Sequence, residues 1–126
     1  MEKTRIQSFT DLQAWQQAHK LRIGVLQEVS SFPSEHKYGL SSQLQRASIS
    51  IGSNIVEGFG RRTKKEKIQF YGIARGSLTE VQDQLILSHD MMLIEKGKFK
   101  ELAEQSVRVH KLINRLMRSI KESENV

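Results

Sequence analysis

Cysteine is absent from this 126-residue chain. That removes disulfides, thiolate nucleophiles and thiolate metal sites, and suits a reducing compartment. Proline occurs once, at Pro33, so almost nothing interrupts helical geometry. No apolar run approaches the roughly 20 residues that span a bilayer, the longest candidate being Met91 to Ile94. The opening MEKTRIQSF lacks the apolar core of a signal peptide. A soluble, cytoplasmic protein is expected, with no membrane partner. Catalytic patterns are missing too. There is no Gly-x-Ser-x-Gly elbow and no His-Glu-x-x-His, and Gly97-Lys98 has neither an upstream glycine pattern nor a following Ser or Thr. The residues three before His19, His89 and His110 are Gln16, Ile86 and Val107, so the Glu-x-x-His ligand pairs of metal-binding bundles do not occur. The expectation is a non-enzymatic protein with no catalytic residue, no cofactor and no metal.

What is present is helical periodicity. A chain of this length forms one domain, here 1–126, and buries about two-thirds of the surface its unfolded form exposes. From Tyr38 to Gly58, Leu40, Leu44, Ala47, Ile51 and Ile55 recur at spacings of four, three, four and four, which puts them on one helix face. Ser48, Ser50, Gly52 and Ser53 lie between them, and their small side chains would let neighbouring helices come close. Upstream, Ser8 and Asp11 could cap a helix that buries Leu12, Trp15, Leu26 and Val29 and stops before Phe32-Pro33. Downstream, Thr63 and Glu66 form a capping box. It opens a third helix striped with Ile68, Tyr71, Leu78, Val81, Leu85 and Met92, with Gly97 as its expected end. A fourth carries Phe99, Leu102, Ser106, Val109, Ile113, Leu116 and Ile120 at the spacing of an antiparallel seam. The predicted fold is all-α, an antiparallel up-down four-helix bundle with helices at about 9–30, 39–58, 63–96 and 98–122. The residues before Ser8 and the polar tail after Lys121 are expected to lie outside it.

The ordered run Phe9, Leu12, Trp15, Ala18, Leu21, then Phe32-Pro33, Glu35 and Tyr38-Gly39-Leu40, is followed by Ser42-Gln43, Arg46-Ala47, Ser50-Ile51, Asn54-Ile55 and Glu57-Gly58. Gly60-Arg61, Phe70, Ala74, Gly76-Ser77 and Glu80 complete it. This pattern resembles the 23S rRNA-intervening sequence proteins, small bacterial four-helix bundles. The one departure is Gln45, where an arginine is usual before Arg46-Ala47. The resemblance implies the bundle fold. Relatives of that family include the accessory variability determinant of diversity-generating retroelements, which implies a homo-oligomer, a pentamer, that meets nucleic acid.

Three sets of candidate residues follow. The net charge of +6 and the pI near 9.8 suggest a polyanionic partner. The charge concentrates in Arg61, Arg62, Lys64, Lys65 and Lys67, and in Arg108, Lys111, Arg115 and Arg118, with no acidic residue between 108 and 121. Such cations could follow an RNA or DNA backbone without reading bases, or alternatively dock an acidic protein partner on a scaffold. Asn54 and Glu57 lie beside the apolar stripe and read as buried polar groups, with Arg46 or Arg75 as the charge partner of Glu57, or as part of a polar ligand pocket. Leu87, Met91 and Ile94 form a second apolar stripe on the third helix, offset from the first, and are expected to face another subunit.

Overall fold

The computed structural model describes residues 5–123, and the expectations for 1–4 and 124–126 lie outside the described residues. It contains four long helices: α1 (Gln13–Val29), α2 (Leu40–Phe59), α3 (Lys64–Asp90) and α4 (Lys96–Glu122). The described residues include no strand. α2 packs against α1 and α3, and α4 against α3 and α1, whereas the diagonal pairs do not pack together. This is the antiparallel up-down-up-down arrangement that short connections impose. The core takes one stripe from each helix, including Leu21, Val25, Leu44, Ile51, Ile55, Tyr71, Leu78, Leu85, Leu102 and Ile113.

The helix ends differ in part from expectation. Ser8 and Asp11 do form a reciprocal cap, but it starts a 3-10 turn, Phe9–Asp11, and α1 begins only at Gln13. Thr63 Oγ1 accepts from the Glu66 N–H at 3.1 Å. The Glu66 carboxylate receives the Thr63 hydroxyl, not its backbone N–H, so only half of the expected box forms. In α4, Met117 is buried and Leu116 only half-buried, a shift of one position along the seam.

The main correction concerns α3, which ends at Asp90 rather than running to 96. Met92 takes a left-handed φ of 63°. The N–H of Met92 reaches His89 O at 2.9 Å and that of Leu93 reaches Ser88 O at 2.9 Å. That is the paired bonding of a Schellman ending, which usually uses glycine at the left-handed position. Met92 is therefore a 91% exposed turn residue and not a core residue of α3. Gly97 lies within the first turn of α4, which starts at Lys96 with Glu95 as its extended N-cap.

Small residues set the helix spacing. Ser48, Ser88 and Ser106 are buried, and their hydroxyls donate to Gln45 O, Gln84 O and Ala103 O on their own helices. A buried hydroxyl bonded in this way leaves no unsatisfied donor.

Candidate nucleic-acid interface

Arg108, Lys111, Arg115 and Arg118 are all exposed on α4, on the side away from buried Val109, Ile113 and Met117. At a rise of 1.5 Å per residue they cover about 15 Å of helix. None of the four has an ion-pair partner among the described residues.

The cluster at the start of α3 divides into two kinds. Lys67 Nζ donates to the carbonyls of Phe59 at 2.8 Å and Gly58 at 3.3 Å, closing the C-terminus of α2. Its partial burial lowers its pKa from the usual lysine value. Arg61 pairs with Glu57 at 3.0 Å and lies 4.6 Å from the centre of the Phe70 ring. Lys64 donates to the Ser123 carbonyl, which ties the start of α3 to the end of α4. Arg62 and Lys65 are the exposed cations of the cluster.

The structure joins the two clusters through residues that the spacing did not single out. Arg75 on α3 donates to Asn114 Oδ1 on α4 at 2.9 Å, and a groove of about 360 Å³ is lined by Arg75, Asn114, Met117, Arg118 and Lys121. Lys121 continues the α4 spacing and was legible in the sequence. Arg75 was not, because its place beside Arg118 depends on how α3 and α4 are paired. Residues 61–75 carry six cations and one carboxylate, Glu66, and 108–121 carry five cations and none. Because α3 and α4 are antiparallel, both segments lie at the same end of the pair. The stretch 80–104 at the other end carries six carboxylates and three cations.

The remaining candidates are placed differently from expectation. Glu57 is exposed rather than buried, and its partner is Arg61, not Arg46 or Arg75. Asn54 is half-buried, and its Nδ2 donates to both the carbonyl and the hydroxyl of Ser50, each at 2.9 Å. Leu87 and Met91 are 45% and 48% exposed, but Ile94 is 3% exposed and belongs to the core, so it cannot form part of the expected subunit-facing stripe. His19 stacks on Trp15 and accepts from Arg22 Nε at 3.0 Å, and His89 stacks on Phe99. Among the described residues no group of three His, Cys, Asp or Glu is placed to hold a metal ion, and no helix is long and apolar enough to cross a membrane.

The family model described as 23S rRNA-intervening sequence protein matches residues 10–115. The chain belongs to that family. The match spans α1 to α3 and most of α4, so it includes the polar α2 face, the basic segment 61–75 and Arg108, Lys111 and Arg115 of α4, and stops before Arg118 and Lys121. A search of curated protein sequences returned no match. Among solved structures, the chain is similar to a protein of unknown function from the S23 ribosomal protein family of Bacteroides thetaiotaomicron. The TM-score is 0.77 at 20% identity, covering 83% of this chain and 95% of that one. At that identity the likeness establishes the fold: the four-helix bundle seen here is also that of the Bacteroides protein.

Proposed function

We propose that this member of the 23S rRNA-intervening sequence family is a non-enzymatic, cytoplasmic protein that binds the phosphate backbone of RNA or DNA as a homo-oligomer, with a pentamer as the favoured state. One observation carries the binding part of this reading. The free cations of α4, together with Arg62, Lys65, Arg75 and Lys121, lie at one end of the α3–α4 pair, while carboxylates predominate at the other. Such a field attracts a polyanion to one end and turns it away from the other. Phe70 and Phe59, the rings beside the α3 cluster, already pack against Arg61 and Lys67, and with no other aromatic ring paired with these cations among the described residues, the protein would touch phosphates and be indifferent to sequence. Self-association is supported by Leu87 and Met91, large apolar side chains left half-exposed near the end of α3.

The test is a fourfold variant, Arg108→Gln, Lys111→Gln, Arg115→Gln and Arg118→Gln, whose helicity should match the parent because all four side chains are exposed. Its affinity for single-stranded and duplex nucleic acid at low salt should fall steeply. Unchanged affinity for both would overturn the reading. Absence of binding by the parent protein would favour an acidic protein partner on the same surface. Light scattering should return a multiple of the 14.5 kDa chain mass, and Leu87→Glu with Met91→Glu should reduce it while leaving helicity intact.

A further inference from the structure

A second concave surface lies between α2 and α3, and its chemistry is unlike that of the basic face. A cleft of about 330 Å³ is lined by Gln43, Arg46, Ala47 and Ser50 from α2 and by Ser77, Glu80 and Gln84 from α3. Its floor is made of small residues, which is why there is room. At its rim stand one cation and one anion, Arg46 and Glu80, both exposed. They do not pair with each other: Arg46 Nη2 donates to Ser42 Oγ on its own helix at 3.3 Å, and Glu80 has no ion-pair partner among the described residues.

Two polar groups in the cleft are left incomplete. Gln84 is 9% exposed, and its amide donates through Nε2 to Gln43 Oε1 at 3.5 Å. Gln84 Oε1 is buried without a donor among the described residues, which costs stability when nothing satisfies it. Ser50 and Ser77 share one hydroxyl–hydroxyl bond of 2.9 Å, and Asn54 Nδ2 already donates to Ser50 Oγ. The two hydroxyls hold two protons and only one link between them, so one proton has no acceptor in this network. Asn54 thus positions the pair from behind and does not line the cleft.

The cleft therefore offers donors, the Arg46 guanidinium and a serine hydroxyl, together with an acceptor, the Glu80 carboxylate, while Gln84 Oε1 lies beneath its surface. We propose that it binds a small zwitterion carrying a carboxylate and an ammonium group close together, the head of a free α-amino acid. The carboxylate is held by Arg46 and the free serine hydroxyl, and the ammonium by Glu80. The mouth is open to solvent, so the side chain of the bound amino acid projects outward and the site selects for the head group. A phosphate would meet Glu80, which sets this cleft apart from the basic face of α3 and α4.

The test titrates the full chain with glycine and with leucine, following backbone amide shifts, with acetate and methylammonium as single-charge controls at matched ionic strength. Both amino acids should bind saturably at millimolar concentration, with shifts centred on residues 43–50 and 77–84. The controls should bind roughly tenfold more weakly or not at all. Arg46→Gln and Glu80→Gln should each weaken binding roughly tenfold. Both side chains are exposed, so these variants should keep the fold. Acetate binding as tightly as glycine, unchanged affinity in both charge variants, or no saturable shift with either amino acid would each overturn the proposal. None of these outcomes bears on the nucleic-acid reading, which uses other residues.

Discussion

Gly58 of α2 lies directly against the ring of Tyr71 of α3: a β-carbon at position 58 would stand 2.6 Å from Tyr71 Cε1 and 2.8 Å from Cδ1. The ring cannot move aside, because Tyr71 is 1% exposed within the core. Gly58→Ala should therefore destabilise the protein by about 1–3 kcal/mol, the usual cost of overpacking. Gly76, on an exposed face of α3, has nothing within 4 Å of its would-be β-carbon. Gly76→Ala should stabilise by about 0.5–1 kcal/mol through helix propensity alone. Denaturant midpoints of the two variants should move in opposite directions.

Met92 offers a second stability test. A side chain at a left-handed φ costs about 1–2 kcal/mol relative to glycine, and Met92 at φ 63° is almost wholly exposed, so little packing offsets that cost. Met92→Gly should raise the melting temperature, whereas an α3 that ran on helically through 92 would be weakened by the same change.

Binding and folding should separate within the cluster 61–67. Lys67 serves the carbonyls that end α2, so Lys67→Gln should lower stability by about 0.3–1 kcal/mol, the range for a cation at a helix C-terminus. Arg62 and Lys65 are exposed, and Arg62→Gln with Lys65→Gln should leave stability unchanged. For every phosphate that the double variant no longer neutralises, the slope of log affinity against log salt should fall by about 0.7–0.9. Salt titrations of the two variants, read beside their melts, check the division.

The Tyr71 phenol is pushed up to about 12 by burial, which disfavours the phenolate in the folded state. The unfolded chain ionises near the ordinary value of about 10. The contribution of this group to stability is therefore complete below about pH 10 and is lost as pH rises toward 12. The chain has two tyrosines, so Tyr38→Phe leaves Tyr71 as the sole phenol, whose ionisation is read as the rise in phenolate absorbance over the pH-independent absorbance of Trp15. Ionisation of that variant near pH 10 with the helices intact would contradict the burial.

The four helices and most of their buried faces were legible in the sequence, because a 3.6-residue period is a local property and Leu44, Ala47, Ile51 and Ile55 state it plainly. The family resemblance was legible for the same reason, as an ordered series of residues along one chain. The exposure of Arg108, Lys111, Arg115 and Arg118 followed from that period too, since they occupy the side opposite the seam. What tertiary structure alone decided involves residues far apart in the chain. Periodicity placed Met92 and Gly97 at the end of α3, but the chain turns earlier, because burying Ile94 requires it to fold back before that point. Glu57 stands beside an apolar stripe yet is exposed, because helix-end partners settle a charge more cheaply than burial does. Which cations remain free for a ligand, which serve as caps, and that Arg75 stands beside Arg118 all depend on the pairing of antiparallel helices, a relation between segments that no single-helix pattern contains.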